Sequence, residues 1–469
     1  MDKYTGSMLG QAVGDALGAP VEGLKGGHIQ QIFGELNYYA DPMTAFPDKP
    51  SRWRLPGLYT DDTQQALAVA EVLAIYGEAD CRALADLYLR LMQEGPAEAP
   101  FGAHRGTGYF FRKSVPSMSR AKDVRNCGQF SAGNGAAMKM APVGLYYAND
   151  LEAMARAVID FSLMTHHDIR GIAGALAMAY VVARLVVAEN ADSEATAMEI
   201  AEGMSGFVAR WEDRLAEEYA DFIAPESLGM PRHYMSEALS VLPSLLREAN
   251  DQLAEKTIVK GAQRSEPNEN VSHAYCGFAV ASVVIAIYRA LSARNFAEGL
   301  IGVVNAGGDT DTVGAMAGAI LGARFGAEQI PADWIDGLMN ADFIKARARA
   351  MREKVVNWEA WGDYIDSEIS LTEKEQKSIG MALADNEELL EQKRQKAMQK
   401  KAKKEEKQKH KDLGFAPPPE VWLADEEEEK DPIQSKKDRA RRGKRRIAWK
   451  EERRRKQKRR GPDLDSDED

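Results

Sequence analysis

Apolar and small residues recur every three or four positions through the first 365 residues, and strict alternation of apolar with polar is almost absent. That period belongs to helices packed on one face. It predicts helices over 6–18, 80–94, 150–161, 171–189, 193–221, 235–255, 272–292 and 296–304. Another starts near residue 61, with Ala66, Leu67, Ala70, Leu73 and Ala74 on one side. A run of small residues over 314–322 reads as a closely packed helix, and Pro331-Ala-Asp-Trp334 opens a further one. Pro20 ends the first helix near Gly18. Residues 24–59 and 95–130 carry Gly, Pro and aromatics without a period, so they read as long loops. The expected fold is all-α, a single multi-helix domain over 1–365.

From about Leu371 the pattern fails. Lys, Arg, Glu and Gln dominate, aromatics nearly vanish, and Pro417-Pro-Pro419 interrupts the run. The segment 371–469 holds 29 basic and 24 acidic residues, a net charge of +5, whereas 1–370 carries −16 of the chain's total of −11. A segment of this composition cannot bury enough apolar surface to offset its ordering entropy. It reads as a charged, low-complexity tail, largely disordered or helical, with a polybasic stretch at 436–460. The acidic body is a poor binder of nucleic acid by charge; the basic tail could take nucleic acid or another anionic partner.

Cys81, Cys127 and Cys276 are far apart and form no zinc or disulfide pattern, which fits a reducing, cytoplasmic setting. With a eukaryotic source, the basic tail would suit the nucleus. The N-terminus lacks the charged and apolar regions of a signal peptide. Two apolar stretches, 172–188 and 274–292, are rich in Ala and Gly and are each broken by an arginine (Arg184, Arg289). They read as buried core helices, and no membrane partner is expected.

Candidate chemistry lies in two acidic clusters, each at a helix start. Asn305-Ala-Gly-Gly-Asp-Thr-Asp-Thr312 precedes the small-residue helix, and Tyr59-Thr-Asp-Asp-Thr63 precedes the helix carrying Ala66. Taken singly, each could be a helix cap. Together, Thr60, Asp61, Asp62, Asp309, Asp311 and Thr312 would set four carboxylates and two hydroxyls against each other. Such crowding is strained without cations. An oxygen-only donor set suits Mg²⁺, Mn²⁺ or Ca²⁺ rather than zinc. There are enough donors for two ions, which in paired sites sit ~3.5–4 Å apart. Gly307 and Gly308 would let the backbone turn and a ligand come close. Gly133-Asn-Gly135 precedes an Ala/Met run and would offer backbone amides to an anion or a ribose.

These residues carry a resemblance. In order, the chain shows Gly10-Gln-Ala-Val-Gly-Asp-Ala-Leu-Gly-Ala-Pro-Val-Glu-Gly23, Tyr59-Thr-Asp-Asp-Thr63, Gly133-Asn-Gly-Ala-Ala-Met-Lys-Met-Ala-Pro142 and Asn305-Ala-Gly-Gly-Asp-Thr-Asp-Thr312, with Thr165-His166 before a helix. Over roughly 4–345 it resembles the ADP-ribosylglycohydrolase family. The resemblance implies an all-α enzyme with two Mg²⁺ ions (Mn²⁺ as substitute) held by Thr60, Asp61, Asp62, Asp309, Asp311 and Thr312. It implies catalytic roles for Glu22 and Asp311. Gly133, Asn134, Gly135, His166, Gly307 and Gly308 would line the ADP-ribose site. The implied substrate is an ADP-ribosylated protein or small ADP-ribose conjugate, cleaved at the glycosidic bond. Residue 139 is a lysine where the family often has arginine, which keeps the charge without the bidentate fork. His167 reads as structural. Tyr275, in a stretch that matches poorly, is a candidate to stack on adenine. Two other classes stay open: a family member that binds ADP-ribose or serves structurally without turnover, and a nucleic-acid-associated factor acting through the tail.

Overall fold

Glycine recurs at every fourth position of the first helix, Lys3–Gly18, at residues 6, 10, 14 and 18. The same spacing returns at 314, 318 and 322 in the helix Thr310–Phe325. Residues four apart share one helix face, so each helix presents a bare backbone stripe. The stripes meet antiparallel. A Cβ added to Gly14 would lie 2.0 Å from the Gly314 carbonyl oxygen, and one on Gly10 would lie 2.2 Å from that of Gly318. At the ends, Gly6 faces Gly322 and Gly18 faces the Thr310 carbonyl. The two backbones therefore touch along their whole length. This seam brings the end of the first helix, and Glu22 just after it, to the start of the Thr310 helix with its acids.

The computed structural model describes residues 1–265, 271–354 and 363–386, with isolated positions at 391, 395 and 398. Residues 1–385 form one compact unit. It is built of helices, with a four-residue extended segment at Pro100–Ala103. Phe296–Val304, Ala279–Ser292 and Ile169–Val187 pack against the Thr310 helix of the seam, and the last two also against each other. Ile169–Val187 is long and apolar enough to cross a membrane, but 89% of its apolar window is buried inside the protein. It is a core helix of the unit, as the Arg184 interruption suggests.

Several boundaries differ from expectation. The segment 235–255 is part of three helices, Tyr234–Leu239, Leu242–Glu248 and Asp251–Ser265. Pro243, without an amide donor, sits in the first turn of the second, and Ala249 ends it at φ 46°. The helix expected from 272 starts only at Ala279, because the preceding loop spends its backbone elsewhere. Its Gly277 carbonyl accepts from the Asn134 amide, and its Tyr275 carbonyl from the Asp309 amide. The loops 24–59 and 95–130 contain short helices at Gly26–Phe33, Pro42–Ala45 and Tyr109–Met118.

The C-terminal boundary needs a larger correction. The charged tail does not begin at 371. Tyr364–Ala384 is a helix that buries Tyr364, Ile365, Glu368, Leu371, Thr372, Glu375 and Leu383. The spacing of these residues is helical, but three of the seven, Glu368, Thr372 and Glu375, are polar, so a hydropathy reading passes over them. The polybasic stretch 436–460 lies outside the described residues.

Candidate active site: an acidic cleft

Two helix starts and one loop end build the site. Thr60 precedes the helix Asp61–Tyr76, whose first turn holds Asp61 and Asp62. Asp309 precedes Thr310–Phe325, whose first turn holds Asp311 and Thr312. Both starts open into one cleft of about 250 Å³. Glu22, Asp61, Asp62, Asp309, Asp311 and Thr312 line it together with Gly133, Asn134, Gly135, Lys139 and His166. One ligand atom from each of Glu22, Asp309 and Asp311 lies within 4.8 Å of the other two. The clusters separated by nearly 250 residues thus converge. Glu22 stands in the tightest group rather than merely beside it.

The carboxylates are held by specific partners. Asn134 Nδ2 donates to Asp309 Oδ2 at 2.7 Å. Gln65 Nε2 donates to Asp61 Oδ2 at 2.9 Å, and the Thr312 amide donates to Asp311 Oδ1 at 2.9 Å. Arg52 Nη1 grips Glu22 Oε2 at 2.6 Å. Among the described residues, Asp62 Oδ1 is buried and has no hydrogen-bond partner. An orphaned buried carboxylate oxygen is costly, and here it sits among other carboxylates. The set fits a divalent cation: hard oxygen donors only, negatively charged, with one acceptor left unused.

Electrostatics point the same way. Burial, then repulsion from Asp15 and Glu22, pushes the Asp61 carboxyl up to about 7. Burial and the surrounding acids hold Asp62 and Asp311 well above the usual carboxylate range. The free cleft therefore keeps protons that an unfolded chain has lost. For Asp61, ionisation costs the folded state progressively as pH rises from the ordinary 3.8 through about 7. A cation favours the ionised form and must displace those protons wherever the pH lies below about 7. The gain in Tm on adding Mg²⁺, relative to EDTA at the same pH, should therefore be larger at pH 8 than at pH 5.5. Scanning calorimetry at both values checks this; an equal or smaller gain at pH 8 would contradict it.

Lys139 is fully buried. Its ammonium donates to Gln65 Oε1 at 3.1 Å, so it reaches Asp61 through one amide. Burial lowers it to about 7, against the pull of Asp61. His166 stays neutral, with burial lowering it to about 3. Its Nδ1 lies 2.8 Å from Thr165 Oγ1, and its other edge faces Gly133 and Gly135. His167 is structural, its Nε2 2.7 Å from the Arg125 carbonyl.

Not every expected residue reaches the cleft. Gly307 and Gly308 do not line it. Their φ angles are 81° and 87°, and a Cβ on Gly308 would lie 2.0 Å from the Tyr275 carbonyl. These glycines serve a backbone crossing with residues 24–26 and 275, not close approach of a ligand. Thr60 lies beneath the cleft, its Oγ1 2.9 Å from both Asp15 Oδ1 and Asp62 Oδ2. Tyr275 is 3% exposed, and its hydroxyl accepts from Arg289 Nε, so it has no face for adenine. The amides of Gly133 and Asn134 are already spent on Ser131 Oγ and the Gly277 carbonyl.

Asp15 was missed. It is fully buried and accepts from the amides and hydroxyls of both Thr60 and Thr63, at 2.7 to 2.9 Å. It caps the Asp61 helix from a different helix. The signal was visible as the only acid in the small, apolar first helix. The aromatic lip formed by Tyr109 and Phe110 was also missed, because nothing in an aperiodic loop says which way it faces.

The model of the ADP-ribosylglycohydrolase family matches residues 1–361. The chain belongs to the ADP-ribosylglycohydrolase family. It is 26% identical over 341 residues to ADP-ribosyl-[dinitrogen reductase] glycohydrolase of Rhodospirillum rubrum, covering 72% of this chain and 90% of that one. It is 28% identical over 353 residues to human ADP-ribosylhydrolase ARH3, covering 71% and 88%. A solved structure titled ADP-ribosylglycohydrolase-related protein complex superposes with a TM-score of 0.52 at 25% identity, covering 76% of this chain and 98% of that one. The match to the ADP-ribosylglycohydrolase family ends just before the helix Tyr364–Ala384.

Proposed function

We propose that this family member hydrolyses the glycosidic bond between ADP-ribose and an acceptor, on a modified protein or a small conjugate, and so reverses ADP-ribosylation. Family membership and the names of the relatives support the glycosyl hydrolase activity. The observation that carries the reading is the convergence of Asp61 and Asp62 with Glu22, Asp309 and Asp311 in one cleft.

The bond breaks at the anomeric carbon, through a transition state with oxocarbenium character. Two Mg²⁺ ions, or Mn²⁺ in their place, would when bound supply Lewis-acid polarisation of ribose and water oxygens. Glu22 or Asp311 takes the proton of the attacking water as the C–N or C–O bond opens, and the departing acceptor atom leaves with the bonding pair and gains a proton. Asn134 holds Asp309 in place, and Gln65 holds Asp61. Lys139 and neutral His166 give the cleft its polar, non-acidic wall, suited to the diphosphate and ribose of ADP-ribose. Tyr109 and Phe110, partly exposed at the lip, offer apolar contact to whatever the ADP-ribose carries.

A panel of arginine-, serine- and acetyl-linked ADP-ribose conjugates tests the reading. Free ADP-ribose should appear from at least one; tight binding with no release from any would favour a binding protein without turnover. The basic segment 436–460 supports a second role, in contact with nucleic acid or another polyanion, inside the cell. Ending the chain after residue 386, rather than near 370, keeps the Tyr364–Ala384 helix. Such a protein should hydrolyse like the full chain and lose any binding to RNA in a filter assay.

A further inference from the structure

The Tyr364–Ala384 helix lies beyond the residues matched by the family model, yet its buried face ends at the cleft's own framework. Glu368 is fully buried and gathers three side chains. Tyr59 Oη donates to its Oε1 at 2.6 Å, while Gln64 Nε2 and Arg105 Nη2 donate to its Oε2 at 2.8 and 2.6 Å. Two neighbours reinforce it. Tyr364 Oη donates to the Gln64 carbonyl at 2.7 Å, and Thr372 Oγ1 accepts from Arg105 Nη1 at 3.0 Å and donates to the Ala103 carbonyl at 2.9 Å.

These contacts fall on two segments that meet at Asp61. Tyr59 and Gln64 bracket Thr60-Asp61-Asp62. Arg105 precedes Gly106, which lines the cleft so closely that a Cβ there would lie 3.1 Å from Asp61 Oδ1. Arg105 Nε also donates to the Tyr59 carbonyl at 3.3 Å. One carboxylate thus ties the Asp61 helix start to the rim facing it. The other half of the cleft, at Asp309 and Asp311, is held by the glycine seam and Asn134 instead.

We propose that Glu368 is a positioning residue for the cleft: through Tyr59, Gln64 and Arg105 it sets Asp61 and Asp62 at the spacing that a divalent cation requires. The inference rests on the cleft being a cation site. Removing a group that orients metal ligands costs ~10–100-fold in metal affinity. A buried ion pair replaced as a pair by apolar side chains keeps its packing without an orphaned charge.

The test is Mn²⁺ binding by calorimetry on the full chain, with thermal unfolding measured in EDTA. The variants are Glu368→Gln and the paired Arg105→Met/Glu368→Leu. The control is Glu71→Leu/Arg347→Met, which removes another buried pair, 2.6 Å apart, that joins the Asp61–Tyr76 helix to the helix Ala341–Glu353 away from the cleft. A merely structural role lowers Tm in both pairs and moves the Mn²⁺ affinity in neither. The expected result is at least a tenfold loss of Mn²⁺ affinity in the Glu368 variants and none in the control, with kcat falling and KM for the conjugate within about twofold of the parent. Unchanged Mn²⁺ affinity in folded Arg105→Met/Glu368→Leu overturns the proposal alone. Absence of Mn²⁺ binding in the parent protein overturns the cation reading together with it.

Discussion

Asp311→Asn yields a folded protein that releases ADP-ribose on the order of 10³-fold more slowly than the parent, about the effect of removing one charge-stabilising group from a preorganised site. Asp311 belongs to the tight group with Glu22 and Asp309. Its Oδ1 accepts the Thr312 amide, which an asparagine oxygen can still do. The substitution therefore keeps the helix start and removes one charge from a crowded set. Burial and the neighbouring Glu22, Asp62 and Asp309 already hold the Asp311 carboxyl well above its usual range, so loss of its charge costs the cation-free fold nothing. The signature is a Tm in EDTA at or above the parent's, combined with loss of the Tm gain on adding Mg²⁺. Activity within tenfold of the parent would remove Asp311 from the site.

Gly14→Ala should destabilise the protein by about 1–3 kcal/mol or more, the usual cost of overpacking, although alanine is the better helix former by about 1 kcal/mol. The new methyl carbon would lie 2.0 Å from the Gly314 carbonyl oxygen, which is backbone and cannot swing aside. Separating the helices also pulls Thr310 and its acids away from Glu22, so activity falls in whatever fraction remains folded. Gly206→Ala is the contrast. Gly206 lies inside the helix Glu194–Glu218, and beyond that helix's own backbone no described residue comes within 4 Å of the added carbon. There the same substitution should raise stability by up to about 1 kcal/mol. Urea unfolding of both variants checks the pair; equal signs would contradict the seam.

The contrast between the two halves of the site shows what a sequence makes readable. Asp309, Asp311, Asp61 and Asp62 sit in short contiguous motifs at helix starts, where charge density stands out against small and apolar neighbours. The meeting of Glu22 with Asp309 and Asp311 follows from the glycine stripes, whose four-residue period is also written in the chain. Asp15, by contrast, acts on Thr60 and Thr63 from another helix, and only the packing of the two helices makes it a cap. Gly307 and Gly308 look the same in sequence whether they admit a ligand or a crossing backbone, and the neighbouring Tyr275 carbonyl decides. The Tyr364–Ala384 helix was hidden because its buried stripe includes Glu368, Thr372 and Glu375. The partners of the first two, Arg105 and Tyr59 for Glu368 and Arg105 for Thr372, lie more than 250 residues away in the chain. Polar residues that are buried only because a distant residue satisfies them have no signature in local hydropathy.

The central claim is that the acidic cleft acts through divalent cations on ADP-ribose conjugates. The most direct measurement is release of free ADP-ribose from an ADP-ribosylated protein by the metal-stripped full chain, before and after Mg²⁺ is added. The account predicts no release in EDTA and recovery on adding Mg²⁺ in excess. Equal release in both conditions, or none in either from any conjugate of the panel, would contradict it.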